Sequence, residues 1–226
     1  IECEEEYNPW KSDAESMPAI SGRIFPKGDF YLTKEEEEMI ARVEESFSDI
    51  VVVLNVGGMM DTSWIKKDDK LTAALLAWQG GMEGGLATAE ILLGKVSPSG
   101  KLSDTLAASV EDYLSTENFH ESFDYVDYTD DVYVGYRYFE TFGDAKDKVC
   151  YPFGYGLSYT NFALEDIKAW EEGEYLKVSL RVTNTGTYAG KEVIQVYTSA
   201  PQGLLQKPAK ELKAFAKTGL LQPGEA

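Results

Sequence analysis

A single glutamate, Glu83, stands between two glycine pairs in the segment W-Q-G-G-M-E-G-G at residues 78–85. The apolar run 71–78 predicts a strand before it, and the pattern at 86–93, closed by Gly94, predicts a short helix after it. Open α/β sheets bind ligands in loops at the carboxyl ends of strands, so Glu83 could line a cleft. A carboxylate also suits the free N–H groups at a helix start, so a structural role stays open.

The glycine spacing does not predict a nucleotide cofactor. It matches neither G-x-G-x-x-G nor a phosphate loop that ends in Gly-Lys-Ser/Thr. The two cysteines, Cys3 and Cys150, lie far apart and indicate neither a disulfide framework nor a metal site. We therefore expect no cofactor and no metal, and cysteine usage favours a reducing compartment such as the cytoplasm.

The chain is strongly acidic, with 21 Lys plus Arg against 39 Asp plus Glu and a formal charge of −18. Such a charge repels nucleic acid and anionic membranes, whereas a neutral substrate is indifferent to it. Part of this charge is a cluster of glutamates at positions 2, 4, 5 and 6. Composition alone leaves a solvated surface and a functional role for that cluster equally open.

The first part of the chain has the pattern of an α/β fold. Thr33 and Glu36 have the spacing of a capping box, and they precede an apolar helical stripe that ends near Ser48. The β-branched run 50–54 predicts a parallel strand buried on both faces, followed by a loop from Asn55. These elements indicate a layered α/β sandwich with a mostly parallel sheet. Residues 103–131 look like loop.

After Phe162 the hydrophobic pattern changes to a period of two. A strand is predicted at 176–182, a turn at Asn184-Thr185-Gly186, and further strands at 193–197 and 212–215. This pattern is typical of a β-sandwich. We place a domain boundary near residue 160, between domains at 1–160 and 161–226.

Nine segments together resemble glycoside hydrolase family 3, the family of β-glucosidases and β-xylosidases. They follow the family's order over nearly the whole chain after residue 26: K-G-D-F-Y-L-T (27–33), V-V-L-N-V-G (52–57), W-Q-G-G-M-E-G-G (78–85), P-S-G-K-L (98–102), D-V-Y-V-G-Y-R-Y-F (131–139), Y-P-F-G-Y-G-L-S-Y-T-N-F (151–162), N-T-G (184–186), G-K-E-V-I-Q-V-Y (190–197) and E-L-K-A-F (211–215).

The resemblance implies an architecture and a partner. Residues 1–160 would be the family's C-terminal α/β sandwich without its first part, and 161–226 the first strands of a fibronectin type III-like domain. No segment resembles the family's TIM-type barrel, so a barrel elsewhere in the same protein is the implied partner. A fragment without the barrel nucleophile is expected to be inactive.

The resemblance also implies a retaining mechanism, in which a barrel aspartate attacks the sugar and a carboxylic acid protonates the leaving oxygen. Many members take that acid from a loop before K-G-D, and the matching stretch here offers Glu5 or Glu4, with Glu15 as a weaker third. Asp29, Trp64 and Glu83 are the implied substrate-side residues, although packing is an alternative for each. The implied substrate is a β-linked glucoside or oligosaccharide. A non-catalytic carbohydrate-binding or interaction module on the same folds is the alternative.

Overall fold

The computed structural model describes residues 27–118, 125 and 127–226. Contacts divide the chain into two compact units, and each is described by itself. The first unit comprises Ile1–Met82 and Asp104–Pro152, and the second comprises Glu83–Ser103 and Phe153–Ala226. The domain boundary near residue 160 stays a prediction.

The first unit alternates helices and strands before a region of short elements. Its elements in chain order are α1 (Lys34–Ser46), β1 (Ile50–Leu54), α2 (Ser63–Lys67), β2 (Leu71–Leu76), β3 (Leu106–Ala107), 3-10 helices at Val110–Asp112, Leu114–Glu117 and Asp131–Tyr133, α4 (Tyr136–Thr141), α5 (Gly143–Lys146) and β4 (Val149–Tyr151). Strands β1 and β2 pair in parallel, with Leu54 opposite Leu76. Strands β3 and β4 pair antiparallel.

Helix α1 begins where the capping box predicts. The Glu36 amide donates to Thr33 Oγ1 at 3.3 Å, and the Thr33 amide donates to Glu36 Oε2 at 2.8 Å. These two bonds satisfy N–H groups that a helix start leaves without an intrahelical partner. The helix ends at Ser46, two residues before the predicted Ser48.

The parallel pairing of β1 confirms the predicted strand, but the predicted burial on both faces is wrong in this structure. Val51 and Val53 are 52% and 40% exposed, and they point to the same face of the strand. A β-branched run indicates that a strand is suited to burial, but it does not indicate which layers cover its faces. Among the described residues the strands form four two-stranded sheets, of which β1–β2 is parallel, so a larger parallel sheet stays a prediction.

A small aromatic core holds the short elements of the first unit together. Ala107, Phe139 and Ala145 are buried, with Tyr113 and Tyr138 packed against them. The Tyr113 and Phe139 rings meet edge to face with centroids 5.7 Å apart, which is a favoured arrangement for aromatic pairs. The core residues lie between 107 and 149. The sequence analysis predicts only loop for 103–131, so it did not identify the part of the core in that range.

The second unit consists of one helix and two antiparallel strand pairs. Its elements are α3 (Gly84–Leu92), β5 (Phe162–Glu172), β6 (Tyr175–Asn184), β7 (Val193–Thr198) and β8 (Glu211–Lys217), with β5 paired to β6 and β7 paired to β8. The last three strands and α3 confirm the predicted elements. No described helix is long and apolar enough to cross a membrane.

Strand β5 is the element of the second unit that the sequence pattern does not reveal. Asp166 has a φ of 51°, and the register against β6 shifts between Glu165 and Lys168. Such a bulge places one extra residue in the strand and interrupts the alternation of side chains between the two faces. A period-two search therefore misses β5 but finds β6, which contains the predicted 176–182 run.

Candidate functional site

The loops after β1 and β2 leave the same edge of the parallel pair. Leu54 is the register partner of Leu76, and the Ala77 amide donates to the Leu54 carbonyl at 2.8 Å. Parallel strands end together, so the segments that begin at Asn55 and Ala77 start side by side. In α/β folds this carboxyl edge is where ligands bind.

The K-G-D-F-Y segment is anchored against the loop that follows β1. Phe30 is buried, and its carbonyl accepts a 2.8 Å hydrogen bond from the Asp61 amide. The next residue, Tyr31, contacts Ser109 through its hydroxyl at 2.8 Å. These two attachments fix Asp29, which is partly exposed beside the anchored Phe30.

Trp64 is attached to the same backbone position. Its indole Nε1 donates to the Asp61 carbonyl at 2.9 Å, and the Asp61 carboxylate accepts the Ser63 amide at 2.7 Å as α2 begins. Asp61 thus accepts from Trp64 through its carbonyl and donates to Phe30 through its amide. The residue that follows Asp29 and the Trp64 indole are therefore both bonded to the backbone of Asp61. Since the only side-chain donor of Trp64 is used internally, its ring face is the part of the side chain that remains for a ligand.

Trp78, two residues beyond β2, has an unusual backbone. Its φ is 52°, in the left-handed region, which non-glycine residues rarely adopt and bulky residues least of all. The side chain is partly buried. Strained residues of this kind persist only where the surrounding structure holds them in place, and they concentrate at ligand clamps and active sites.

Glu83 belongs to the second unit and lies immediately before α3. Its side chain is exposed and makes no capping hydrogen bond to the helix. The structural alternative, a carboxylate that satisfies free helix N–H groups, therefore lacks the hydrogen bond that would support it. The helix ends as predicted, with Gly94 at a φ of 69°.

The predicted acid/base residues Glu5 and Glu4, and the weaker candidate Glu15, lie outside the described residues. Among the residues that the structure does describe, no group of three or more His, Cys, Asp or Glu side chains could hold a metal ion.

A small cavity in the first unit has no counterpart in the sequence predictions. Burial raises the pKa of Asp130, which contributes to its wall, and raises the pKa of Tyr113 to about 12. The volume is about 170 Å³, and the lining residues are Met59, Asp104, Thr105, Tyr113, Leu114, Ser115, Asp130, Val134, Gly135, Tyr138 and Phe139. Asp130 follows an acidic, aromatic segment typical of surface loops, so no sequence signal identified it.

Comparison with known families matches both parts of the chain. Residues 10–159 match the glycosyl hydrolase family 3 C-terminal domain, and residues 192–226 match the fibronectin type III-like domain. The chain therefore belongs to glycosyl hydrolase family 3, and the resemblance drawn from the nine segments is confirmed.

The similar proteins are named as β-glucosidases. Beta-glucosidase A of Butyrivibrio fibrisolvens is 58% identical over 96% of this chain and 28% of its own length. A Beta-glucosidase of Ruminococcus albus is 46% identical over 88% of this chain and 20% of its own length. The chain thus spans less than a third of the length of these relatives.

Solved structures agree with the fold. A β-glucosidase from Paenibacillus barengoltzii superposes with a TM-score of 0.81 at 50% identity, covering 88% of this chain and 22% of that one. β-Glucosidase 3B from Thermotoga neapolitana in complex with glucose gives a TM-score of 0.79 at 43% identity, covering 88% of this chain and 28% of that one.

Proposed function

We propose that this chain is part of a retaining, exo-acting β-glucosidase that removes terminal β-linked glucose from oligosaccharides or glycosides. The observation that carries the proposal is the 58% identity to Beta-glucosidase A of Butyrivibrio fibrisolvens across 96% of the chain. The rest of the active site, including the nucleophilic aspartate, belongs to a TIM-type barrel of the parent protein. The chain without that barrel has no activity.

The role of this part is to supply the general acid/base, from Glu5 or Glu4. Its carboxylic acid protonates the glycosidic oxygen as the aspartate attacks, and its carboxylate then removes a proton from the attacking water. A retaining pair needs the two carboxyl groups about 5–5.5 Å apart, and an apolar pocket that raises the pKa of the acid. Support comes from the K-G-D-F-Y segment, which follows these glutamates and is anchored through Phe30 and Asp61 in the loop after β1.

Three further residues contact the sugar in this proposal. The Asp29 carboxylate accepts hydrogen bonds from sugar hydroxyls, and the Trp64 ring stacks on a pyranose face while its Nε1 stays bonded to Asp61. The Glu83 carboxylate is available because α3 does not use it as a cap. Each of these side chains is partly or fully exposed.

The parallel pair β1–β2 is, in this proposal, the visible part of a layered α/β sandwich with a mostly parallel sheet. Parallel sheets occur almost only with both faces covered. The exposure of Val51 and Val53 supports further layers contributed by the parent protein.

The test is an assay of the parent protein on β-glucosides, with Glu5→Gln and Glu4→Gln as variants and Glu6→Gln as the matched control. Removing the acid should lower kcat about 10²–10⁴-fold on a substrate with a poor leaving group. The loss in kcat/KM should be much smaller on an activated aryl glucoside, whose leaving group needs no proton, whereas kcat stays low because hydrolysis of the glycosyl-enzyme still lacks its base. Added azide should restore turnover of the activated substrate by replacing the water that needs a base.

Three outcomes are informative. Loss in one of the two variants assigns the acid/base, and full turnover in both removes that assignment. An intact parent that binds cellobiose without hydrolysing it would favour the alternative, a non-catalytic carbohydrate-binding module.

A further inference from the structure

Helix α3 is attached at its end to the segment 153–160, within the second unit. The Tyr159 hydroxyl donates to the Ile91 carbonyl at 2.9 Å, in the last turn of the helix. Just after the helix, Ser97 Oγ lies 2.9 Å from Ser158 Oγ and accepts the Tyr159 amide at 3.0 Å. The helix that follows Glu83 is therefore held by Ser158 and Tyr159.

The turn after α3 is attached to the same segment. The Leu102 amide donates to the Tyr155 carbonyl, and the Gly154 amide donates to the Leu102 carbonyl, both at 2.8 Å. Gly156 packs directly on the backbone of Gly100, so any side chain at 156 would collide with the Gly100 carbonyl. Two segments of the chain, 100–102 and 154–156, thus pack closely against each other.

An ion pair connects these two segments to the fibronectin-like region, residues 192–226. Lys101 Nζ lies 3.0 Å from Glu192 Oε1 and donates to the Gly156 carbonyl at 2.7 Å. The two side chains are only 17% and 20% exposed. Glu192 Oε1 also accepts the amide of Val193, the first residue of β7, at 2.7 Å. Partly buried pairs with added hydrogen bonds are screened less than surface pairs.

A second connection runs through the fully buried Asn184. Its Oδ1 accepts the Thr160 hydroxyl at 2.6 Å and the Gly186 amide at 3.1 Å. Its Nδ2 donates to the carbonyls of Tyr188 at 2.8 Å and Leu221 at 2.9 Å. All four hydrogen bonds available to the amide group are made, and they hold Thr160 against the turn of the N-T-G segment.

We infer that the fibronectin-like strands position helix α3, and with it the loop that carries Glu83. They do so through the Lys101–Glu192 ion pair and through the four hydrogen bonds of the Asn184 side chain, here called the Asn184 hub. Lys101, Glu192 and Asn184 are positioning residues, since none needs to touch the sugar. The kinetic consequence rests on the proposed function of Glu83, whereas the attachment itself does not. The fibronectin-like region thus stabilises the position of the loop that carries Glu83.

The test uses the parent protein with Lys101→Met, which keeps a long side chain but removes the charge. Lys177→Met is the matched control, because Lys177 forms an exposed pair with Glu172 in the β5–β6 hairpin of the same unit. Amide hydrogen exchange reports local opening, and we expect residues 84–96 to exchange about tenfold faster in Lys101→Met and unchanged in Lys177→Met. Lys101→Arg retains the charge and should restore most of the protection.

The second measurement is the split between KM and kcat on a β-glucoside. We expect Lys101→Met to raise KM several-fold with a smaller change in kcat, because a displaced Glu83 weakens substrate binding. Unchanged exchange at 84–96 would overturn the inference. Faster exchange without any kinetic change would reduce the attachment to a structural one and overturn the positioning role. If the parent has no glycosidase activity, the exchange result still decides the attachment, so the two proposals fail separately.

Discussion

The parallel pair β1–β2 and the hub around Asn184 are stabilised in opposite ways. In the first, β-branched side chains form a strand whose Val51 and Val53 stay 52% and 40% exposed. In the second, a polar amide is fully buried and every hydrogen bond that it can make is satisfied within this chain.

The difference lies in the directionality of the two interactions. Apolar burial is non-directional, so the exposed face of β1 can be covered by any layer of suitable shape. Hydrogen bonds in a buried hub need particular atoms at particular distances, and an unpaired group is costly. The hub is therefore complete in this sequence, whereas the described residues leave this face of β1 exposed.

The largest expected effect is at the hub. Asn184→Ala removes the partner of the Thr160 hydroxyl, the Gly186 amide and the Tyr188 carbonyl, and one of the two donors to the Leu221 carbonyl, which also accepts the Gly190 amide. We therefore expect a loss of roughly 4 kcal/mol in the free energy of unfolding. Urea titration of the parent protein measures it. Asn161→Ala is the control, because that side chain is exposed and the residue contributes through its backbone. A loss below about 1 kcal/mol would contradict the hub.

The next largest effect tests whether the face of β1 that carries Val51 and Val53 is exposed to water in the parent protein. If further layers cover β1, Val51→Asp in the parent buries an unpaired charge and should cost about 3 kcal/mol in unfolding free energy. Val51→Thr keeps the shape and should cost far less. A cost of Val51→Asp within about 0.5 kcal/mol would mean that this face meets water in the parent as well.

A smaller effect is expected where the loop at 153–156 approaches β7. Gly154 has a φ of 79°, and a side chain there would press on Gln195, so Gly154→Ala should cost about 1–2 kcal/mol in thermal or urea unfolding. Gly100→Ala is the matched control, because no atom lies within 4 Å of its added methyl group. Equal costs at both glycines would contradict this account.

The smallest effect is a shift in titration in the first unit. The Ser109 hydroxyl, then further hydrogen bonds that include Tyr31, lower the pKa of Glu111 from 4.5. A lowered folded pKa contributes stability above the unfolded value that is lost as pH falls through the folded value. Ser109→Ala should raise the pKa of Glu111 toward 4.5, and Tyr31→Phe should raise it less, as measured by NMR of the carboxyl carbon. No movement in Ser109→Ala would exclude the Ser109 hydrogen bond as the cause.

Sequence patterns predicted the elements whose signals are local. The capping box of Thr33 and Glu36, the strand at 50–54 and the glycine after α3 depend on residues within a turn or two of each other. Strand β5 was missed because its bulge at Asp166 breaks the alternation. Asp29, Trp64 and Glu83 were chosen through family resemblance, and no pattern marked the backbone of Asp61, since main-chain atoms are the same in every residue.

By itself, the sequence determined the family, the positions of helices α1 and α3 and of most strands, and the acidic charge that disfavours polyanions. Only the tertiary structure decided that Phe30 and Trp64 both bond to the backbone of Asp61, that Asp130 lines a cavity, and that Asn184 joins Thr160, Tyr188 and Leu221. The physical reason is distance along the chain: a cap or a strand is fixed by neighbours, whereas these contacts exist only after remote segments have packed together.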